Sequence, residues 1–251
     1  MFYFFLAPLL SYHWLLIIAA IVPAVFLMFK VYRSDRLERE DPALLRRLVL
    51  VGVLSTFIAL VLEWIGEKLL GLFFDESSQA YMILLYFVVV GLVEEGAKYF
   101  VLKKTTWSLY DFNCQYDGVV YAVFVSLGFA VWENISYVLH YGFSTALIRA
   151  VTAIPGHACF GVFMGVFYGL ARGYEYLEER QKAKLFRVFA VVIPTLIHGT
   201  YDYIASMGTQ TGDLYFILFV AVLFILSFVL VHRLAKNDHY FSVRRRQYRP
   251  F

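Results

Sequence analysis

Seven apolar stretches, separated by short polar connectors, run along this chain. They fall at roughly 9–29, 47–65, 80–102, 117–139, 146–171, 187–206 and 213–232, each near the ~20 residues a helix needs to cross a bilayer core. The runs are continuously apolar and do not alternate with period two, which selects membrane helices over barrel strands. The expected fold is all-α, a polytopic membrane helix bundle of about seven transmembrane helices, with residues 1–251 forming a single integral membrane domain. An eighth short or re-entrant element in 1–8 or 66–79 is left open.

Composition agrees, with 61% hydrophobic residues, 16% charged residues and a mean hydropathy of +0.68. A soluble domain carries about 25% charged residues. Base is concentrated in alternate connectors. The first holds Lys30, Arg33, Arg36, Arg39, Arg46 and Arg47. Lys103 and Lys104 open the third, the fifth runs from Arg172 to Arg187, and the tail contains Arg244, Arg245, Arg246 and Arg249. Basic connectors stay in the cytoplasm, so the expected topology has the N-terminus outside and the C-terminus cytoplasmic. The net charge of +3 therefore reflects topology and gives no reason to expect a nucleic acid partner. The first run lacks a basic leader and a cleavage site, so it is read as a retained span. Cys114 in a connector and Cys159 in mid-span do not make a disulfide framework. Gly156, Gly161, Gly165 and Gly169 recur at helical spacing in the fifth stretch and are read as a close helix–helix contact.

Five ionisable residues lie inside these stretches: Glu94, Glu95, Glu133, His157 and His198. Asp202 follows one turn later. Such groups are costly at bilayer depth and mark function by default, and Glu and His do acid–base work and bind metals. Glu94 and Glu95 point about 100° apart on a helix. Lys98 is four residues after one and three after the other, so the expectation is that one carboxylate pairs with Lys98 and the other faces the bundle interior. Glu133 needs a partner or a proton. Asn134 beside it is either a helix–helix hydrogen bond or a donor to a carbonyl oxygen. Phe129 lies one turn earlier. Pro155 and Gly156 loosen the ladder beside His157, and Arg149 is expected to snorkel to the interface. Asp202 shares a face with His198 and can fix its tautomer. His13, His140, His232 and His239 sit near boundaries and look ordinary. Counting rise puts His198 and Glu133 about 9–13 Å below the outer surface, His157 about 16 Å, and the glutamate pair nearer 20 Å. One shared site is expected despite that mismatch.

These motifs together resemble the PrsW family of intramembrane proteases. They are EEGAK (Glu94, Glu95, Lys98), FAVWEN (Phe129, Glu133, Asn134), the lone His157 and HGTYD (His198, Asp202), in that order on successive spans. The resemblance covers about residues 80–206, which it marks as a four-helix catalytic core. The family is similar to the CAAX prenyl endopeptidases, the abortive-infection membrane proteases and the APH subunit of gamma-secretase. In the prenyl endopeptidases, His stands where this chain has Glu133, and Asn stands where it has Asp202. That departure argues against a prenyl-protein substrate. The resemblance implies hydrolysis of a peptide bond in a single-span membrane protein, such as first-site cleavage of an anti-sigma factor, in a bacterial or archaeal plasma membrane.

The leading expectation is a glutamate-dependent endopeptidase without a cofactor. Glu95, or Glu94, is the general base; Glu133 and His157 hold water or move the proton. His198 and Asn134 stabilise the oxyanion, and Asp202 orients His198. The alternative places zinc on Glu95, Glu133, His157 and His198, although the chain lacks HExxH. A proton-coupled transporter or an inert scaffold are the non-proteolytic rivals. No inverted repeat supports the transporter.

Overall fold

A computed structural model of the chain describes residues 2–241, with side chains from residue 12 onward. The basic tail at 244–249 lies outside the described residues. Nine helices occur among the described residues: α1 (Phe2–Ser34), α2 (Pro42–Phe73), α3 (Gln79–Leu84), α4 (Val93–Thr106), α5 (Gln115–Tyr141), α6 (Phe143–Val151), α7 (Ala153–Tyr176), α8 (Arg180–Ala205) and α9 (Gln210–Asn237). A π-helical stretch, Leu85–Leu92, joins α3 to α4 into one continuous rod. With α6 and α7 taken together, seven helical rods are long and apolar enough to cross a membrane, one for each expected stretch. No separate eighth element occurs among the described residues. Residues 2–8 belong to α1, and 66–73 are the continuation of α2.

Polar residues set the breaks. Asp41 caps α2, its carboxylate accepting from the Ala43 amide, with Pro42 in the first helical position where it needs no amide hydrogen. Ser78 caps α3 and Thr209 caps α9 in the same way. Gly142 separates α5 from α6 at φ +84°, a conformation that costs a Cβ-bearing residue energy.

α5 sits at the centre: 78% of its most apolar window is buried, against 17% for α9. A membrane helix covered on all sides must be packed by protein rather than lipid, and α1, α2, α4 and α7 all lie against α5. Small residues permit this. A Cβ on Gly169 would meet the Gln115 carbonyl of α5, one on Gly161 would lie 3.0 Å from Val123 Cα, and one on Gly165 would strike Gly118 and Val119. These are the glycines that the sequence pattern assigns to helix contact. Gly52 of α2 and Gly128 of α5 do the same across the α2–α5 crossing.

The π-helical stretch packs on α8 just past Pro194, a proline inside that helix. A Cβ on Gly91 would lie 3.1 Å from the Thr195 carbonyl, and one on Gly199 would lie 2.6 Å from the Phe87 ring. Two facing glycines thus bring the backbones together immediately before Glu94 and immediately after His198. π-helical turns are rare and recur at functional sites.

Candidate active site

Lys98 is fully buried on α4, and its ammonium donates to Glu94 Oε2 at 2.9 Å and to Glu95 Oε1 at 2.8 Å. It also lies 3.3 Å from His157 Nδ1 and 4.0 Å from the Phe129 ring centroid. The expectation that only one glutamate pairs with Lys98 is therefore overturned. The two carboxyl stems diverge on the helix, but the long lysine stem ends between positions i−3 and i−4 and reaches both. Phe129 closes the remaining side with its π face.

The other face of His157 meets α5. Its Nε2 lies 2.7 Å from Glu133 Oε2. Arg149 does not snorkel outward. It turns in, its Nη2 donating to Glu133 Oε1 at 2.8 Å and its Nε to Asn134 Oδ1 at 2.8 Å, with the guanidinium 3.9 Å from the Tyr137 ring centroid. α6 ends at Val151, carries Arg149 in its last turn and packs against α5, which brings the side chain within reach of Glu133 and Asn134. The Asn134 amide nitrogen donates to the Ala20 carbonyl of α1 at 3.2 Å. Both ends of Asn134 are thus engaged, and it is a support for Arg149 and α1 rather than a free oxyanion donor.

α8 supplies the third part. His198 Nδ1 lies 3.0 Å from Glu95 Oε1 and 3.9 Å from Glu94 Oε2, and its Nε2 lies 3.2 Å from Asp202 Oδ2. A neutral imidazole donates from one nitrogen only. With carboxylates on both sides, either the ring carries two protons or a carboxyl carries one. Phe160 stacks on the ring at 4.5 Å, and the His157 and His198 rings are 5.4 Å apart. The depth mismatch is thereby resolved. Element ends are not coplanar, α2 alone running eight residues past its expected end at 65, so rise counted from span ends does not measure a common plane.

The cluster faces a cavity of about 370 Å³. Glu94, Glu133, His157, His198 and Asp202 line it, and Glu95 does not; that residue is fully buried behind, with Oε2 unpartnered. One acid on the wall has no place in the expectations above. Glu63 of α2 lines the cavity with a buried Oε1 that has no partner among the described residues. The signal was available, since position 63 lies inside the second apolar stretch. Leu60, also on the wall, is 54% exposed on the outside of the bundle. The cavity therefore reaches the surface of the bundle beside α2.

Two groups of side chains among the described residues bring metal-type donor atoms within 4.8 Å of one another: Glu94, Glu95 and His157, and, far along the chain, Cys114, Asp117 and Asp238. The first differs from the zinc set expected above. Glu133 is held on the opposite edge of the His157 ring by Arg149, so Glu95, Glu133, His157 and His198 do not converge. Two carboxylates and an imidazole are donors that zinc accepts. The shared centre of that group is, however, the position of the Lys98 ammonium.

Seven membrane-length helices around a buried cluster of glutamates, histidines and a lysine define a polytopic membrane protein with an acid–base site. The family model described as PrsW family intramembrane metalloprotease matches residues 40–231. The chain is 32% identical over 191 residues to Protease PrsW of Bacillus subtilis, covering 76% of this chain and 83% of the relative. It is 32% identical over 212 residues to Protease PrsW of Clostridioides difficile (83% and 86%), and 33% identical over 211 residues to that of Halalkalibacterium halodurans (84% and 90%). No solved structure matches. The chain belongs to the PrsW family, and it is an integral multi-pass membrane protease.

Proposed function

We propose that the chain cleaves a single-span membrane protein near the outer boundary of the membrane, with Glu94 as the general base. The carrying observation is that Glu94, not its neighbour, lines the cavity while bonded to the buried Lys98. This reverses the slight preference for Glu95 given by the motif. A water in the cavity gives its proton to Glu94 as its oxygen adds to the scissile carbonyl. The carbonyl electrons move to oxygen, and His198, on the cavity wall, is a donor to that developing charge, with the Lys98 ammonium buried behind Glu94. Glu94 then returns the proton to the leaving amine, and the C–N bond breaks. Glu95 and Asp202 position Lys98 and His198; Glu133, fixed by Arg149, positions His157.

A second reading rests on the three convergent donors of Glu94, Glu95 and His157. A zinc ion held there would activate water as a Lewis acid. Lys98 would have to leave the centre of that group, since two cations cannot share it. An anti-sigma factor as substrate, a bacterial plasma membrane and a cytoplasmic C-terminus complete the proposal. The family assignment and the alternation of basic connectors support them.

The test is cleavage of single-span peptides in liposomes by wild type, Glu94→Gln and Glu95→Gln, each with and without a zinc chelator. The expected result is loss by about 100-fold or more in Glu94→Gln, a smaller loss in Glu95→Gln, and no chelator effect. Activity lost to chelator and restored by zinc moves the mechanism to the metal. Full activity in Glu94→Gln removes Glu94 from the chemistry.

A further inference from the structure

A second hollow lies behind the active site. α1, α7 and α9 line a groove of about 560 Å³. On α7, Ala153, His157 and Phe160 face the catalytic cavity, whereas Pro155, Ala158, Cys159 and Val162 face the groove. At 100° per residue these sets lie on opposite faces. One helix thickness therefore separates whatever fills the groove from His157.

The groove has a polarity. Its wall on α9 runs from Phe224 to Ala235, a rise of about 16 Å, close to half of the ~30 Å hydrocarbon core. Lys30, Arg33 and Arg36, all exposed, line its end at the base-rich face, together with His232. Among the described residues none of these three bases is in an ion pair, and Lys30 rests 5.3 Å above the Phe228 ring inside the groove. The remaining wall is almost wholly apolar. The apolar wall matches an acyl chain, and the exposed bases at its end match an anionic headgroup.

We propose that this groove binds one anionic phospholipid of the base-rich leaflet. Its phosphate sits among Lys30, Arg33 and Arg36, and one acyl chain lies between α1, α7 and α9 as far as Pro155. The bound chain holds α7 in the position that places His157 against Lys98 and Glu133.

The binding half is tested without any activity measurement. Wild type and a Lys30→Gln/Arg33→Gln/Arg36→Gln variant are taken into nanodiscs of phosphatidylglycerol or phosphatidylcholine, and retained lipid is counted by native mass spectrometry. The expected result is one phosphatidylglycerol per wild-type chain, little phosphatidylcholine, and at least tenfold weaker retention in the variant. Each base contributes about fivefold near an anionic surface. A groove-filling Ala158→Leu variant should lose the lipid with all three bases intact. Equal retention of the two lipids, undiminished phosphatidylglycerol in the triple variant, or a substrate crosslink from Phe228 overturns the site. The positioning half is read as faster peptide cleavage in phosphatidylglycerol than in phosphatidylcholine for wild type and not for the variants. Equal rates overturn that half and leave the site standing, and the liposome test of Glu94 stands or falls separately.

Discussion

An ammonium held by two carboxylates in a place where water is scarce has no cheap alternative partner. Lys98 is such a group, and losing it leaves the buried Glu94 and Glu95 with His198 as their remaining ion-pair partner. Breaking a buried pair costs about 3–5 kcal/mol, so Lys98→Met should lower the melting temperature of the purified protein by several degrees. An unchanged melting curve would mean that the cluster does not depend on the lysine. A different titration governs the connector between α1 and α2. Burial, then the Asp117 charge, push Glu40 up from its ordinary 4.5 to about 8. A raised carboxyl binds its proton in the folded state, so its contribution is present below pH 4.5 and is lost as the pH rises towards 8. Stability should fall across that window, and Glu40→Gln should flatten the fall and raise the melting temperature at pH 8. A steeper decline in the variant would reverse the assignment.

Among the elements, the rod running from Gln79 to Thr106 matters most, because its π-helical turn and α8 meet glycine to glycine. Gly199→Leu should push α8 off Phe87 and separate His198 from Glu95, abolishing cleavage while the protein still inserts and purifies as a monodisperse species. Retained activity would show that this contact is not what positions His198. How much of this was legible beforehand differs by element. The seven spans could be read because bilayer thickness imposes one length on all of them. The glycine spacing of α7 likewise announced its partner, because close backbone approach tolerates little else. The π-helical turn could not be read, since no residue pattern in LYFVVVGL distinguishes it from an α-helix. At the site, the four motifs converge as their order on successive spans implied. The bonding did not follow, because spacing along a helix says where a stem starts and not how far a lysine or arginine reaches. Arg149 reads as an interface residue for that reason, and no motif surrounds Glu63 to mark it.

For the molecule as a whole, the proposed cleavage requires a substrate helix to reach the cavity, and the wall beside Leu60 is where the cavity meets the bundle surface. A photo-crosslinking side chain at Leu60 should capture a single-span substrate, whereas one at Leu218, exposed on α9, should not. Equal capture at both would dissociate the opening from substrate entry. The central, covered position of α5 has a consequence for biogenesis. Two of the helices that line the cavity, α5 and α8, are among the least apolar of the seven rods, and α9 is the most apolar. Lipid alone gives α8, with His198 and Asp202 aboard, a weak reason to leave the translocon. Its insertion is favoured once Glu95 and Phe160 are already in place to receive it. On that order of assembly, a chain truncated before α9 and released from the ribosome should already resist protease across residues 80–206.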